Sequence, residues 1–475
     1  MKKIIYSFNP STNELLWMGK QSTHIEILNA VEKGKNAQKF YCLLSLEERK
    51  KILLNFSEIV KRDAEKLARI ISLENGKPFW EAKTEVAALS SKVNAVISSF
   101  EEKMHIVEKE LTNGRRSITR YKAHGLLVVI GPYNFPMSMP NSHIMPAILA
   151  GNSVIFKPSE KTPMCAEVYF EIWKEAGLPD SVLQIVYGDD KVGKKLVRND
   201  NINGVLFIGS RRAGLDINTA LAKKTDKICV LEMGGNSPLM IWDYENVRYA
   251  INIAIQSAFL SAGQRCSCAR RLIVNSKLKD SFIPLFIKAV SNIVIGDAFS
   301  EDLIPFMGPV IDENILINFY QKFNEYKNLG AKILLEPHKL SNLGTNFVTP
   351  AILDTTNINV PDEEVFGPFL QVIFVDSFED GVEECNKTSY GLAAGIVCKD
   401  RNIYEQFFSL VQAGIINWNQ PLTGSSGTAP FGGIKLSGNH HPAGYFSCNY
   451  CSYSVASIES PDTSEIKRIS NGLKF

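Results

Sequence analysis

Between Leu126 and Trp242 short apolar runs (LLVVI, SVIFK, VLQIVYG, GVLFIG, ICVLEM and PLMIW) alternate with helical stretches such as 162–176. That rhythm predicts a parallel sheet covered by helices on both faces, because strands buried on two sides read as unbroken apolar runs. In such a sheet, ligands sit beyond the carboxyl ends of the strands. A second alternating region, with RLIV, AKILL, QVIFV, AAGIV and GIINW, runs from about Asn252 to Leu422. Two α/β units of this kind leave a cleft between them. A chain of 475 residues is also too long for one ordinary core.

Outside these regions, Ile52, Leu53, Phe56, Ile59, Val60, Leu67, Ile70 and Ile71 recur at helical spacing between Ser45 and Ser72. Ser45 and Glu48 form a capping box at the start, and Asn75, Gly76 and Pro78 stop the pattern. SITRYK (117–122) and CSYSVASIE near the end alternate polar and apolar residues without a following helix, and are predicted to be edge strands that need a partner.

The 52 basic and 50 acidic side chains leave a formal charge of +2, and they are interleaved rather than gathered into a basic stripe. That pattern argues against a nucleic-acid partner. The longest apolar runs fall far short of the roughly 18 residues needed to cross a bilayer. The opening MKKIIYSFNP lacks the apolar core and cleavage site of an export signal. Nine scattered cysteines then read as reduced thiols of a cytoplasmic protein.

Four runs carry chemistry. SAGQRCSCARRL (261–272) places Cys266 where the chain turns out of a helix and toward a strand, with Ala262 and Gly263 allowing close backbone approach and Arg265 nearby to favour a thiolate. A C-x-C pair without a second Cys/His pair is a poor zinc signature, so no metal is expected. LEMGGNSP (231–238) sets Glu232 at the end of an apolar strand before two glycines, a position suited to a general base. GPYNFP (131–136) offers Asn134, a neutral amide able to hold an oxyanion. GSRRAG (209–214) joins a strand to a helix expected to begin near Leu215, and so forms a weak phosphate site without Walker spacing. Taken singly, each has an ordinary explanation: a buried thiol, a capping carboxylate, a turn amide, a loop.

Together and in order, these runs resemble the aldehyde dehydrogenase superfamily over nearly the whole chain. The resemblance implies two Rossmann-like α/β domains with a β oligomerisation extension: an NAD-binding domain from 1–113 and 125–240, a catalytic domain over 241–430, and oligomerisation strands at 114–124 and 440–460. It implies Cys266 as nucleophile, Glu232 as general base and Asn134 as oxyanion donor. For the cofactor it implies Lys157, Ser159 and Glu160 of FKPSE at the adenosine ribose. Phe207, Gly209, Ser210, Arg211, Arg212, Ala213 and Gly214 would lie at the pyrophosphate, with Glu364 and Phe366 of EEVFGP at the nicotinamide ribose. PFGGIKLSG (430–438) is the family's closing loop. Arg211 and Arg212 depart from the small or polar residues expected there, and the opening residues are expected to lack the family's first strand.

A carboxylate at Glu160 repels a ribose phosphate and favours NAD over NADP. The resemblance also implies a homodimer or homotetramer, and a small-molecule aldehyde substrate bearing two carboxylates. Arg265, Arg115 and Arg116 are candidates to bind those carboxylates, with His440 and His441 at the mouth of the site. The alternatives are a dehydrogenase of another small semialdehyde and a non-catalytic binding protein on the same fold. The second has no need of Cys266, Glu232 and Asn134 together.

Overall fold

The computed structural model describes residues 3–300, 302–424, 426–460 and 470–474, so the first two residues and Ser425 of the C-terminal run lie outside the described residues. Leu126–Ile130, Ser153–Lys157, Leu183–Ile185, Gly204–Gly209 and Ile228–Met233 form a five-stranded, all-parallel sheet. Nearly every residue of its three inner strands is buried, as expected when helices cover both faces. The chain enters at the middle strand, Leu126–Ile130, runs outward through Ser153–Lys157 to Leu183–Ile185, then returns to the other side with Gly204–Gly209. At the carboxyl ends of the strands flanking that reversal a crevice opens, the usual ligand position in a doubly wound sheet.

Ser237–Ile241, the PLMIW run, does not belong to this sheet. It pairs in parallel with Ala269–Asn275 and Ala393–Val397 inside a seven-stranded sheet. The chain therefore crosses between units at Gly234–Asn236, ahead of the boundary expected at 240. A strand buried on both faces looks the same in either sheet, which is why its apolar run misleads. The seven-stranded sheet also contains Ala351–Asp354, too short to register as a run, and ends in the antiparallel edge strand Lys332–Leu335. Since Ile228–Met233 ends where Ser237–Ile241 begins, the carboxyl edge of the first sheet meets the amino edge of the second.

The pattern after Ser45 is a pair of helices, Leu46–Arg62 and Ala64–Asn75, and both halves of the capping box form at Ser45 and Glu48. Phe56 stacks on Trp173 at 4.2 Å in the core between these helices and the first sheet. The helix after Gly204–Gly209 starts at Arg211 rather than near Leu215, because the Ser210 hydroxyl caps it by accepting from the Ala213 N–H at 3.4 Å.

Two further expectations are corrected. Arg116–Ala123 is the middle strand of a three-stranded antiparallel sheet, flanked by Val107–Glu110 and by Ser452–Glu459, which pairs with it along all eight residues. Its alternation reflects the two faces of the sheet, and the edges are Val107–Glu110 and Ser452–Glu459, with Tyr453 and Ile458 exposed. The opening residues do form strands, a hairpin of Ile4–Phe8 with Leu15–Lys20.

Candidate active site

The segment carrying Cys266 is held in an unusual backbone shape. After the Val247–Phe259 helix, Ser261, Ala262 and Gly263 take successive left-handed φ angles of 54°, 53° and 69°. For Ser261 and Ala262 this costs on the order of 1–3 kcal/mol each unless the surroundings enforce it. They do. The Ser261 hydroxyl donates to the buried Glu81 carboxylate, and Arg265 donates from Nε to Ser261 Oγ at 2.9 Å and from Nη2 to Glu81 at 2.6 Å. Arg270 Nη2 donates to the Gly263 carbonyl at 2.5 Å. A Cβ on Gly263 would lie 2.0 Å from the Gly367 carbonyl oxygen, so only glycine fits. Three residues later Cys266 emerges half-buried on the wall of a cavity of about 1590 Å3.

Asn134 follows the strand ending at Ile130. Its side-chain N–H donates to the Gln264 carbonyl at 2.8 Å, two residues from Cys266, and it lines the same cavity. The loop beneath it is fastened by a fully buried ion pair that the sequence reading missed. Lys77 Nζ donates to the Asn134 carbonyl at 2.8 Å and to Glu85 at 2.8 Å, while Glu85 also accepts from the Met137 and Ser138 N–H groups at 3.1 Å each. The only trace of this in the sequence was a lysine and a glutamate eight residues apart.

Glu232 is the next-to-last residue of the strand Ile228–Met233 and faces the cavity. The segment 437–439, from the closing loop, runs along this strand: the Met233 N–H donates to the Ser437 carbonyl at 2.9 Å, the Leu231 N–H to Asn439 Oδ1 at 2.9 Å, and Glu232 bridges Gly438. One carboxylate oxygen of Glu232 accepts from the Ala443 N–H at 3.2 Å, and the other is buried without a partner. The glycines after Glu232 are required by crowding. A Cβ at Gly234 would lie 1.8 Å from Glu364 Oε2, and one at Gly235 would lie 2.9 Å from the Cys266 carbonyl.

Their surroundings shift these acids toward the protonated form. Burial, then the neighbouring Glu364 and Glu232, push the Cys266 thiol up to about 12. Burial holds Glu232 well above the usual carboxylate range, and pushes Glu364 up to about 7 against the pull of Arg270 and the Gly235 N–H.

Of the expected cofactor residues, Lys157, Ser159, Glu160, Phe207, Gly209, Ser210, Arg212, Ala213, Glu364 and Phe366 line the cavity. Lys157 Nζ reaches Glu160 at 3.3 Å, and Phe366 packs edge-on to Tyr133. Arg211 and Gly214 do not line it. Because the helix begins at Arg211, that guanidinium turns toward the Tyr390 ring, 5.8 Å from its centroid, and Gly214 faces Met233. The expected substrate cations fare similarly. Arg116 pairs with Glu108 on the three-stranded sheet and Arg115 bonds to Thr112 beside it, both off the cavity wall. His441 packs on Tyr450, and neither it nor His440 lines the cavity. Arg265 does line it, with its charge committed to Glu81.

The described residues contain no group of three or more potential metal ligands and no helix long and apolar enough to cross a membrane. Residues 1–455 match the model of the aldehyde dehydrogenase family. The chain belongs to that family. Within it, the chain is 42% identical over 461 residues to an N-succinylglutamate 5-semialdehyde dehydrogenase of Sphingopyxis alaskensis, covering 97% of this chain and 95% of the relative. A protein of the same name from Hahella chejuensis is 40% identical, covering 99% and 96%. Among solved structures, aldehyde dehydrogenase 21 of Physcomitrella patens, in complex with the reaction product succinate, superposes with a TM-score of 0.90 at 26% identity, covering 98% and 96%. An indole-3-acetaldehyde dehydrogenase complexed with NAD+ superposes with a TM-score of 0.89 at 26% identity, covering 96% and 93%. This aldehyde dehydrogenase thus has the family's fold from end to end.

Proposed function

We propose that the chain oxidises N-succinyl-L-glutamate 5-semialdehyde to N-succinyl-L-glutamate with NAD, a step of arginine breakdown, through a thioester on Cys266. The observation that carries this is the meeting of Cys266, Asn134 and Glu232 in one cavity, in a chain about 40% identical over nearly its full length to dehydrogenases of that semialdehyde.

The residues present fit a dinucleotide. The crevice lies at the reversal point of a parallel sheet, and it is larger than the roughly 300–1,000 Å3 of a single small-ligand pocket. A helix N-terminus capped by Ser210 faces it. Lys157, Ser159 and Glu160 would hold the adenosine ribose. Phe207, Gly209, Ser210, Arg212 and Ala213 would hold the pyrophosphate, and Glu364 and Phe366 the nicotinamide ribose. Bound NAD supplies the acceptor for the hydride that leaves the aldehyde carbon.

Cys266 Sγ, its proton released to solvent water, bonds to the aldehyde carbon, and the carbonyl π pair moves to oxygen. The Asn134 amide and the Cys266 N–H hold that oxyanion, which re-forms the C=O bond as hydride departs with its electron pair and leaves a thioester. Glu232 then takes a proton from water; the water oxygen bonds to the acyl carbon, and the C–S bond breaks to return the thiolate. Burial makes Glu232, once ionised, a stronger base than a solvated carboxylate.

Asn134→Ala is expected to lower kcat by about 10²–10³-fold, the usual loss for one oxyanion donor. Steady-state NADH absorbance measures it, and an unchanged kcat removes Asn134 from the role. The substrate is tested with a panel of semialdehydes and both cofactors. N-succinylglutamate semialdehyde with NAD should give the highest kcat/KM, and an equal value for a simple apolar aldehyde, or for NADP, overturns the respective assignment. The exposed Ser452–Glu459 edge supports assembly into a homodimer or homotetramer, and a monomer by light scattering would refute it.

A further inference from the structure

We infer that Lys92 is the anchor for a carboxylate of the substrate. This rests on the proposed function, since it needs a carboxylated semialdehyde.

The Phe79–Lys103 helix turns one face to the cavity, with Thr84, Ala88, Ser91 and Lys92 at spacings that stack on a single side. It packs against the Ser138–Ala150 helix, which begins four residues after Asn134 and adds Ser138 and Ser142 to the same wall. Lys92 is the cation of this wall. Its ammonium donates to the Ser138 carbonyl at 3.0 Å and has no carboxylate within ion-pair distance among the described residues. An ammonium carries three donors, so two remain for a ligand.

Its neighbours cannot supply the missing charge. Glu85 is spent on Lys77 and on two backbone N–H groups, and His143 is buried, held neutral and bonded to Tyr450. Most other cavity cations already have partners: Arg265 with Glu81, Lys157 with Glu160, Lys161 with Asp312, and Lys194 with Asp190 and Asp216. Arg198 and Arg212 lie among the helices at the strand ends of the cofactor sheet. Burial lowers the Lys92 pKa to about 8, which still leaves the group mainly protonated at neutral pH. A half-buried cation with unspent donors gains from a carboxylate that arrives with the substrate.

Such a contact is made equally in the ground state and the transition state, so it acts on KM and not on kcat. The full-length enzyme and its Lys92→Met, Lys92→Gln and Lys92→Arg variants are assayed with NAD on N-succinylglutamate semialdehyde, succinate semialdehyde and hexanal, after thermal melting selects the folded variants. Lys92→Met and Lys92→Gln should raise KM for the carboxylated substrates about 10–100-fold with kcat held within about threefold, should leave hexanal unaffected, and Lys92→Arg should restore most of the loss. An equal KM rise for hexanal, or no rise for any substrate, overturns the assignment. A wild-type preference for succinate semialdehyde would sink the proposed substrate alone, because the Lys92 shift is still read on that compound. A wild-type preference for hexanal sinks both.

Discussion

Cys266→Ala is expected to abolish NAD reduction, a loss of at least about 10⁴-fold, because the only group proposed to bond to the aldehyde is removed. The NAD Kd, measured by calorimetry, should stay within about twofold, since the residues proposed to grip the dinucleotide come from other segments. Turnover by the variant at a wild-type rate would end the proposed chemistry. The wild-type thiol offers a pH test. With its pKa pushed up to about 12, the protonated form dominates in the resting protein, and the reactive thiolate grows with pH throughout the neutral range. Alkylation of Cys266 by iodoacetamide should therefore rise about tenfold per pH unit between 7 and 9, whereas a plateau by pH 8 would mean an ionised resting thiol.

Glu232→Gln should separate the two halves of the reaction. Bond formation at Cys266 and hydride departure do not use this side chain, so one equivalent of NADH per site should form in a rapid phase. Hydrolysis then stalls, and the steady rate should drop by about 10²–10⁴-fold, the range for loss of a general base. Mass spectrometry of the quenched protein should find the acyl group on the peptide containing Cys266. Absence of both burst and adduct would deny Glu232 its role, and would also call into question the thioester itself.

Much of the architecture was legible because parallel strands buried on both faces print themselves as apolar runs, and the runs at 126–130, 153–157, 204–209 and 269–275 are all strands. Which sheet each joins was not legible. Ser237–Ile241 shows why: pairing depends on residues far away in sequence, and its apolar run carries no label for its neighbour. The same limit hid the middle position of Arg116–Ala123, whose partner lies more than 300 residues downstream. Asn134, Glu232 and Cys266 stood out as residue types in telling surroundings, and the fold brings them to one cavity. Their supports did not stand out. The buried Glu81, Lys77 and Glu85 and the half-buried Lys92 sit on one helix or just before it and read as ordinary surface charge, because a sequence does not reveal which side of a long helix faces inward. Arg265 was over-read for the opposite reason, since its proximity to Cys266 said nothing of the carboxylate that already occupies it.

The grip of Ala443 on Glu232 has a mechanical side. Nine residues beyond Ala443 the chain passes into Ser452–Glu459, which is zipped to Arg116–Ala123. Glu232 and the edge strand Ser452–Glu459 are thus two ends of one short tether. Trimming the tail after about residue 440 would do more than fray an edge: it would unhitch the carboxylate from its mooring and strip the lining from that end of the chamber.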